Sequence, residues 1–156
     1  RAGWVGDGVG GGEGWDPRHG YGRRTARPDV DVIYFDPART DKACGRPIGQ
    51  ALRTLRPEIA WSARNQARMH LRNGDAPYRD SEDALRYWLE TPTCVAVGLD
   101  DGGKLRLIAP YGLDDLFDLV VRPTPAGRRR HTAYMQRLRE KNWPRHWPRM
   151  TVETAP

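Results

Sequence analysis

At 156 residues with a 38% hydrophobic fraction, the chain is long enough for one domain with a real core and needs no disulfide or metal staple. Its mean hydropathy is −0.79, and no apolar run approaches the roughly 20 residues of a membrane span, which argues against a membrane protein. The net charge of +6 is unevenly placed: residues 1–121 hold 17 basic against 18 acidic side chains, and residues 122–156 hold nine against two. A phosphate-bearing partner would suit that basic end, although a helix with a solvated basic face is the simpler reading. Cys44 and Cys94 lie far apart without metal-ligand spacing, so free thiols in a reducing, cytoplasmic setting are expected. The chain opens on Arg1 rather than Met, as a segment trimmed at its N-terminus would.

In chain order, Trp4-Val5 reads as the end of a short strand or helix. A glycine-dense stretch follows through Gly14, too entropically costly for a regular element, with Trp15 as an anchor on its far side. Residues 29–35 (Asp29-Val30-Asp31-Val32-Ile33-Tyr34-Phe35) combine β-branched and aromatic side chains and predict a strand. Period-two alternation puts Asp29 and Asp31 on one face, with Val30 and Val32 directed into the core. Two adjacent carboxylates repel unless a cation lies between them, and Mg²⁺ typically takes one or two carboxylates and completes its shell with water and phosphate oxygens. The competing reading is a strand start whose acids merely face water.

Residues 46–56 fit an amphipathic helix with Ile48, Leu52 and Leu55 on one face, and 59–63 read as a second strand. The polar run from Asn65 to His70 follows that strand directly, where α/β folds place ligand contacts, and its own conformation is ambiguous. Arg64 or Arg68 could clamp a phosphate, and His70 could act near neutral pH. A helix is expected over 81–90, capped by Asp80 or Ser81, then a β-hairpin from 93–99 and 104–108 around Asp100-Asp101-Gly102-Gly103. Residues 112–121 predict a short helix whose first turn carries Asp114 and Asp115, where acids favour the helix dipole. Thr124 and Pro125 then start a basic helix over 126–142, and an irregular tail through Trp147 packs its tryptophans onto the body. The mixed order of helices and strands gives an α/β (α+β) domain. Residues 122–156 form a basic helical extension of the same single domain, 1–156.

Several segments in order carry a family resemblance: Trp4-Val5-Gly6-Asp7-Gly8, Trp15-Asp16 with His19-Gly20, Asp29-Val30-Asp31-Val32 with Tyr34-Phe35-Asp36, Asn65–His70, Thr91–Val97, Ala109–Phe117 and Arg122-Pro123. On these the chain resembles a bacterial nucleotidyltransferase-like family of the DNA polymerase β-like superfamily. The resemblance implies a palm-like mixed sheet flanked by helices. It also implies a glycine turn at Gly6 and Gly8 for the triphosphate, and Asp29 and Asp31 as catalytic ligands of Mg²⁺ (or Mn²⁺). Arg68 and Asn65 would contact the nucleotide. The implied chemistry is attack on the α-phosphorus of an NTP, passing a nucleoside monophosphate to an unidentified acceptor and releasing pyrophosphate. The superfamily's third carboxylate, from a later strand, is replaced at the aligned position by Ser62, and Gly11-Gly12 stand where a cation is usual. A non-catalytic member that binds nucleotide or a partner protein is therefore the alternative. An RNA-binding module using the basic C-terminus is a further one, with nucleic acid not the favoured partner.

Overall fold

The computed structural model describes residues 3–6, 14–23, 25 and 29–155. Seven strands are present among them: β1 (Trp4–Gly6), β2 (Val30–Tyr34), β3 (Trp61–Asn65), β4 (Ala96–Leu99), β5 (Leu105–Ile108), β6 (Val120–Val121) and β7 (Thr151–Val152). The helices are α1 (Asp16–Arg18), α2 (Arg46–Leu55), α3 (Met69–Asn73), α4 (Ser81–Leu85), α5 (Asp114–Phe117), α6 (Pro125–Arg129), α7 (His131–Lys141) and α8 (Trp143–His146).

The first five strands form one mixed sheet in the order β3-β2-β1-β4-β5. β2 and β3 run parallel, joined by a crossover that contains α2, and the other pairings are antiparallel. The three-residue strand β1 is thus the central strand, and it fixes the register of its neighbours: Gly6 pairs with Asp31 on one side and Ala96 on the other. β6 and β7 make a separate parallel ribbon that ties the chain end to the segment after α5.

Alternation along these strands gives the sheet two unlike faces. One carries Trp4, Ile33, Ala96 and Ile108 and is covered by Leu85 and Trp88. The other carries Val5, Val32, Val97, Leu99, Leu105 and Leu107. Of these, the three leucines are exposed and the valines half-buried. Val30 and Val32 therefore do not point into the core as their hydrophobicity suggests. The core lies on the face of Asp31 and Ile33, because the helices after β3 pack there. A second core forms around Trp15, where Trp143 and Trp147 close edge-on at 5.9 and 4.9 Å and Val121, Leu116 and Met150 fill the remainder. The tail tryptophans thus pack as their sequence context suggests.

Three expected helices come out shorter. The 81–90 segment is α-helical only through Leu85, with Asp80 as its cap through Oδ1 accepting from the Asp83 N–H at 2.7 Å. The 112–121 segment stops at Phe117, because Leu119 takes a positive φ of 61° and Val120–Val121 then pair as a strand. The basic helix is broken at Arg130 into α6 and α7, with Thr124 capping α6 as expected. No helix among the described residues is long and apolar enough to cross a membrane.

Candidate active site

Asp31 occupies the middle of β2, flanked in register by Gly6 of β1 and Ser62 of β3. Asp29 lies two residues earlier on the same face, half-buried at the strand's start. The Asp31 side chain is 14% exposed, and Arg64, two residues beyond Ser62, lies across both. Its Nε is 3.4 Å from Asp31 Oδ1 and donates to Ser62 Oγ at 3.0 Å. A half-buried carboxylate needs a compensating charge, and here the guanidinium supplies it. Almost half of the Arg64 side chain remains in contact with solvent, so it is placed to shift between Asp31 and an incoming phosphate.

Whether these residues suit a divalent ion follows from the donor set. Asp29 and Asp31, on one face of the sheet, meet the need of a single Mg²⁺ for one or two protein carboxylates. A two-ion site requires further anionic oxygen, and the neighbour in register is the neutral hydroxyl of Ser62. Among the described residues no three His, Cys, Asp or Glu side chains come together as a metal-holding group. The chemistry of the site therefore fits one ion and not the pair.

Arg64 stands at the junction of two concavities, and Asp31 lines the larger of them. The larger, about 400 Å³, has Ile33 as floor, α3 on one side, the segment from Ala84 to Glu90 on another, and Arg130 and Arg137 from the basic helices. The smaller, about 360 Å³, opens beside β3 between Lys42, Arg64, Arg68 and Arg72, with Asp41 as its one acid among the described residues. Arg64, Met69 and Arg72 line both.

The other expected site residues fall into place as follows. Gly6 is buried, and a Cβ there would sit 3.1 Å from the Trp88 ring, so its lack of a side chain lets the indole lie over β1. Gly8, together with Gly11, Gly12 and Glu13, lies outside the described residues. Arg68 lines the smaller basin and anchors its Nε on the Thr40 carbonyl at 3.0 Å. Asn65 is buried with every hydrogen-bonding position used: Oδ1 accepts from the Asp36 and Ala67 N–H groups, and Nδ2 donates to the Asp36 and Arg39 carbonyls. It holds the turn after β2 against the end of β3. His19 is likewise engaged at both ring nitrogens, by Trp15 O and the Arg149 N–H. Asp115 sits in a surface network with Thr91 and Arg122 rather than in either basin.

The sequence reading missed Glu90 and the inward stripe of the basic helices. Glu90 is 1% exposed on the cleft wall, accepting from the Thr93 hydroxyl at 2.9 Å and paired with Arg137 Nε at 2.7 Å. Arg137 in turn lies over the Trp143 ring at 5.8 Å. Arg130 donates to the Tyr87 carbonyl. The signal was present: Arg130, Ala133 and Arg137 recur at helical spacing, so a single face turns inward while the remaining arginines face solvent.

Comparison with known proteins agrees with this architecture. The profile of a family described as nucleotidyltransferase matches residues 2–152. An NMR structure described as revealing a CCA-adding enzyme head domain is 33% identical, with a TM-score of 0.71 over 81% of this chain and 68% of that one. A chain from a tRNA-processing enzyme complex superposes with a TM-score of 0.51 at 14% identity, over 97% of this chain and 40% of that one, which concerns the fold alone. No curated protein matches the chain. The chain belongs to the nucleotidyltransferase family.

Proposed function

We propose that this nucleotidyltransferase transfers a nucleoside monophosphate from an NTP to an acceptor, with one Mg²⁺ or Mn²⁺ held by Asp29 and Asp31. The observation that carries the reading is the position of Asp31: mid-sheet, beside Gly6, on the wall of the larger cleft, and paired with Arg64, which also lines a basin ringed by four cations. A divalent ion bound there would polarise the α-phosphate and lower the barrier to in-line displacement of pyrophosphate. Arg64 and Arg68, with Lys42 and Arg72, would neutralise the polyphosphate and the charge that develops on the departing pyrophosphate. Gly8 would let backbone approach phosphate oxygens closely, while Gly6 makes room for the Trp88 indole. Asn65 acts at one remove, by holding the turn after β2 that leads to Lys42.

The test is calorimetry of Mg²⁺·NTP on the wild type and on the Asp29→Asn/Asp31→Asn double variant. The expected result is metal-dependent binding in the wild type and its loss in a variant that still folds. Undiminished metal-dependent affinity in the double variant would overturn the site assignment.

One observation favours a second reading, a member that binds nucleotide without transferring it. Ser62, in register with Asp31, leaves no carboxylate on β3 to deprotonate an acceptor hydroxyl or share a second ion. The two readings share the nucleotide site and differ only in turnover.

A further inference from the structure

Within the larger cleft one neutral side-chain donor has no protein acceptor among the described residues. Gln66, in the 3-10 turn Gln66–Arg68 that follows β3, is 2% exposed and lines the cleft. Its Oε1 accepts from the Trp88 indole N–H at 3.4 Å. An indole nitrogen can only donate, so this contact fixes which end of the carboxamide is which and turns Nε2 away from Trp88. Among the described residues nothing accepts a hydrogen bond from Nε2. Nε2 is not enclosed by protein, so it faces the cleft, where water or a ligand supplies its acceptor.

Part of the wall around it is aromatic and apolar, and the rest carries Arg64, Arg72, Glu90, Arg130 and Arg137. Tyr87 and Trp88 stand on one side and Ile33 and Met69 on the others, with Tyr78 braced behind Tyr87 at a ring separation of 4.8 Å. A concavity of this size that combines aromatic side chains with convergent polar groups suits a small organic ligand. A nucleobase has the matching chemistry: two π faces for the aromatic wall and ring-nitrogen or carbonyl acceptors on its edge. Gln66 is neutral and unsuited to phosphate, whereas Arg64 and Arg72, at the border of the two concavities, with Lys42 and Arg68 in the smaller one, have the charge for it.

We propose that Gln66 is a nucleobase-binding residue: Nε2 donates to an acceptor on the edge of the substrate's base, so the nucleoside occupies the larger cleft. The polyphosphate then crosses Arg64 and Arg72 into the basic basin, and the α-phosphorus comes to rest beside Asp31. This orientation rests on the nucleotidyltransferase reading above and gives the substrate a direction within it.

The experiment compares affinity for NTPs with affinity for inorganic tripolyphosphate, in the presence of Mg²⁺, for the wild type and Gln66→Met. Methionine keeps the length of the side chain and removes the donor. The expected outcome is an NTP preference over tripolyphosphate in the wild type that falls by about tenfold in the variant, with tripolyphosphate affinity unchanged. That unchanged affinity also reports a folded protein, and Gln66→Leu replaces the variant should methionine disturb the turn. An NTP preference that survives both substitutions would overturn the role of Gln66 and leave the transfer reading intact. A wild type that binds tripolyphosphate as tightly as any NTP would overturn the nucleoside cleft. A wild type that binds neither would overturn the transfer reading together with this inference.

Discussion

Ser62 is the residue that separates the transfer reading from the binding-only one. Its side chain lies on the same face as Asp31, one strand over, and receives the Arg64 Nε–H. Replacing it by Ser62→Asp puts a second carboxylate opposite Asp31 in the pairing. Like charges in register destabilise a sheet by up to about 1 kcal/mol, and a bound divalent ion reverses the sign of that effect. The expected outcome is a melting temperature below the wild type's without metal and a larger gain on adding Mg²⁺ than the wild type shows. Equal Mg²⁺ responses in the two proteins would mean that β3 does not face the ion. Asn65 shows the opposite limit of residue-level inference. A polar amide after an apolar strand reads alike whether it binds a ligand or a backbone turn, and only its four protein partners decide between them.

At the scale of elements, α6 is set by a local cap together with two long-range contacts that no local pattern displays. Thr124 caps it by accepting from the Gly127 N–H at 2.9 Å and donates its own hydroxyl to the Trp88 carbonyl. Gly127 lies so close to the Leu89 carbonyl that a Cβ would stand 2.2 Å from that oxygen. This junction aims Arg130 and the start of α7 at the cleft. Gly127→Ala should therefore cost about 1–3 kcal/mol in urea unfolding, since overpacking against backbone outweighs the gain in helix propensity. Gly49→Ala in α2 provides the contrast. There the nearest atoms, at 3.4 Å, belong to the flexible end of Arg53, so propensity should win and stability should rise by roughly 0.5–1 kcal/mol. Destabilisation of the same size at both positions would contradict this account of the α6 junction.

Much of the chain was legible where the signal is local. The β2 strand, the α2 helix, the hairpin of β4 and β5 and the Thr124 cap all follow from short patterns of side chains and turns. What was not legible depends on pairing across the sequence. Val120–Val121 continued an apolar helical stripe, yet they are β-branched and find Thr151–Val152 some thirty residues away. Three residues at Trp4–Gly6 gave no hint of a central strand, because a strand buried between two neighbours needs no length of its own. The Asp29/Asp31 pairing of faces was readable from period two alone. Which face carries the core was not, since it is set by the distant α4 and by Trp88.

At the scale of the whole molecule, the charge that looked like a basic tail is distributed by the fold. Arg137 is spent on buried Glu90, Arg128 on Glu153, and Arg149 on the Arg18 carbonyl, while Lys42, Arg64, Arg68 and Arg72 from the middle of the chain ring the basin beside Asp31. The fold thus assembles its phosphate-sized cationic site from residues that are balanced by acids in the linear count. The measurement that tests the central claim most directly is the melting temperature with metal alone, with each of ATP, GTP, CTP and UTP alone, and with both together. At a nucleotide concentration near 100 times Kd, binding adds about 2.7 kcal/mol, a rise of roughly 5–10 °C for a chain of this size. The account predicts that rise for at least one NTP and only when Mg²⁺ or Mn²⁺ is present. A rise of equal size without metal, or none with any pair, would contradict it.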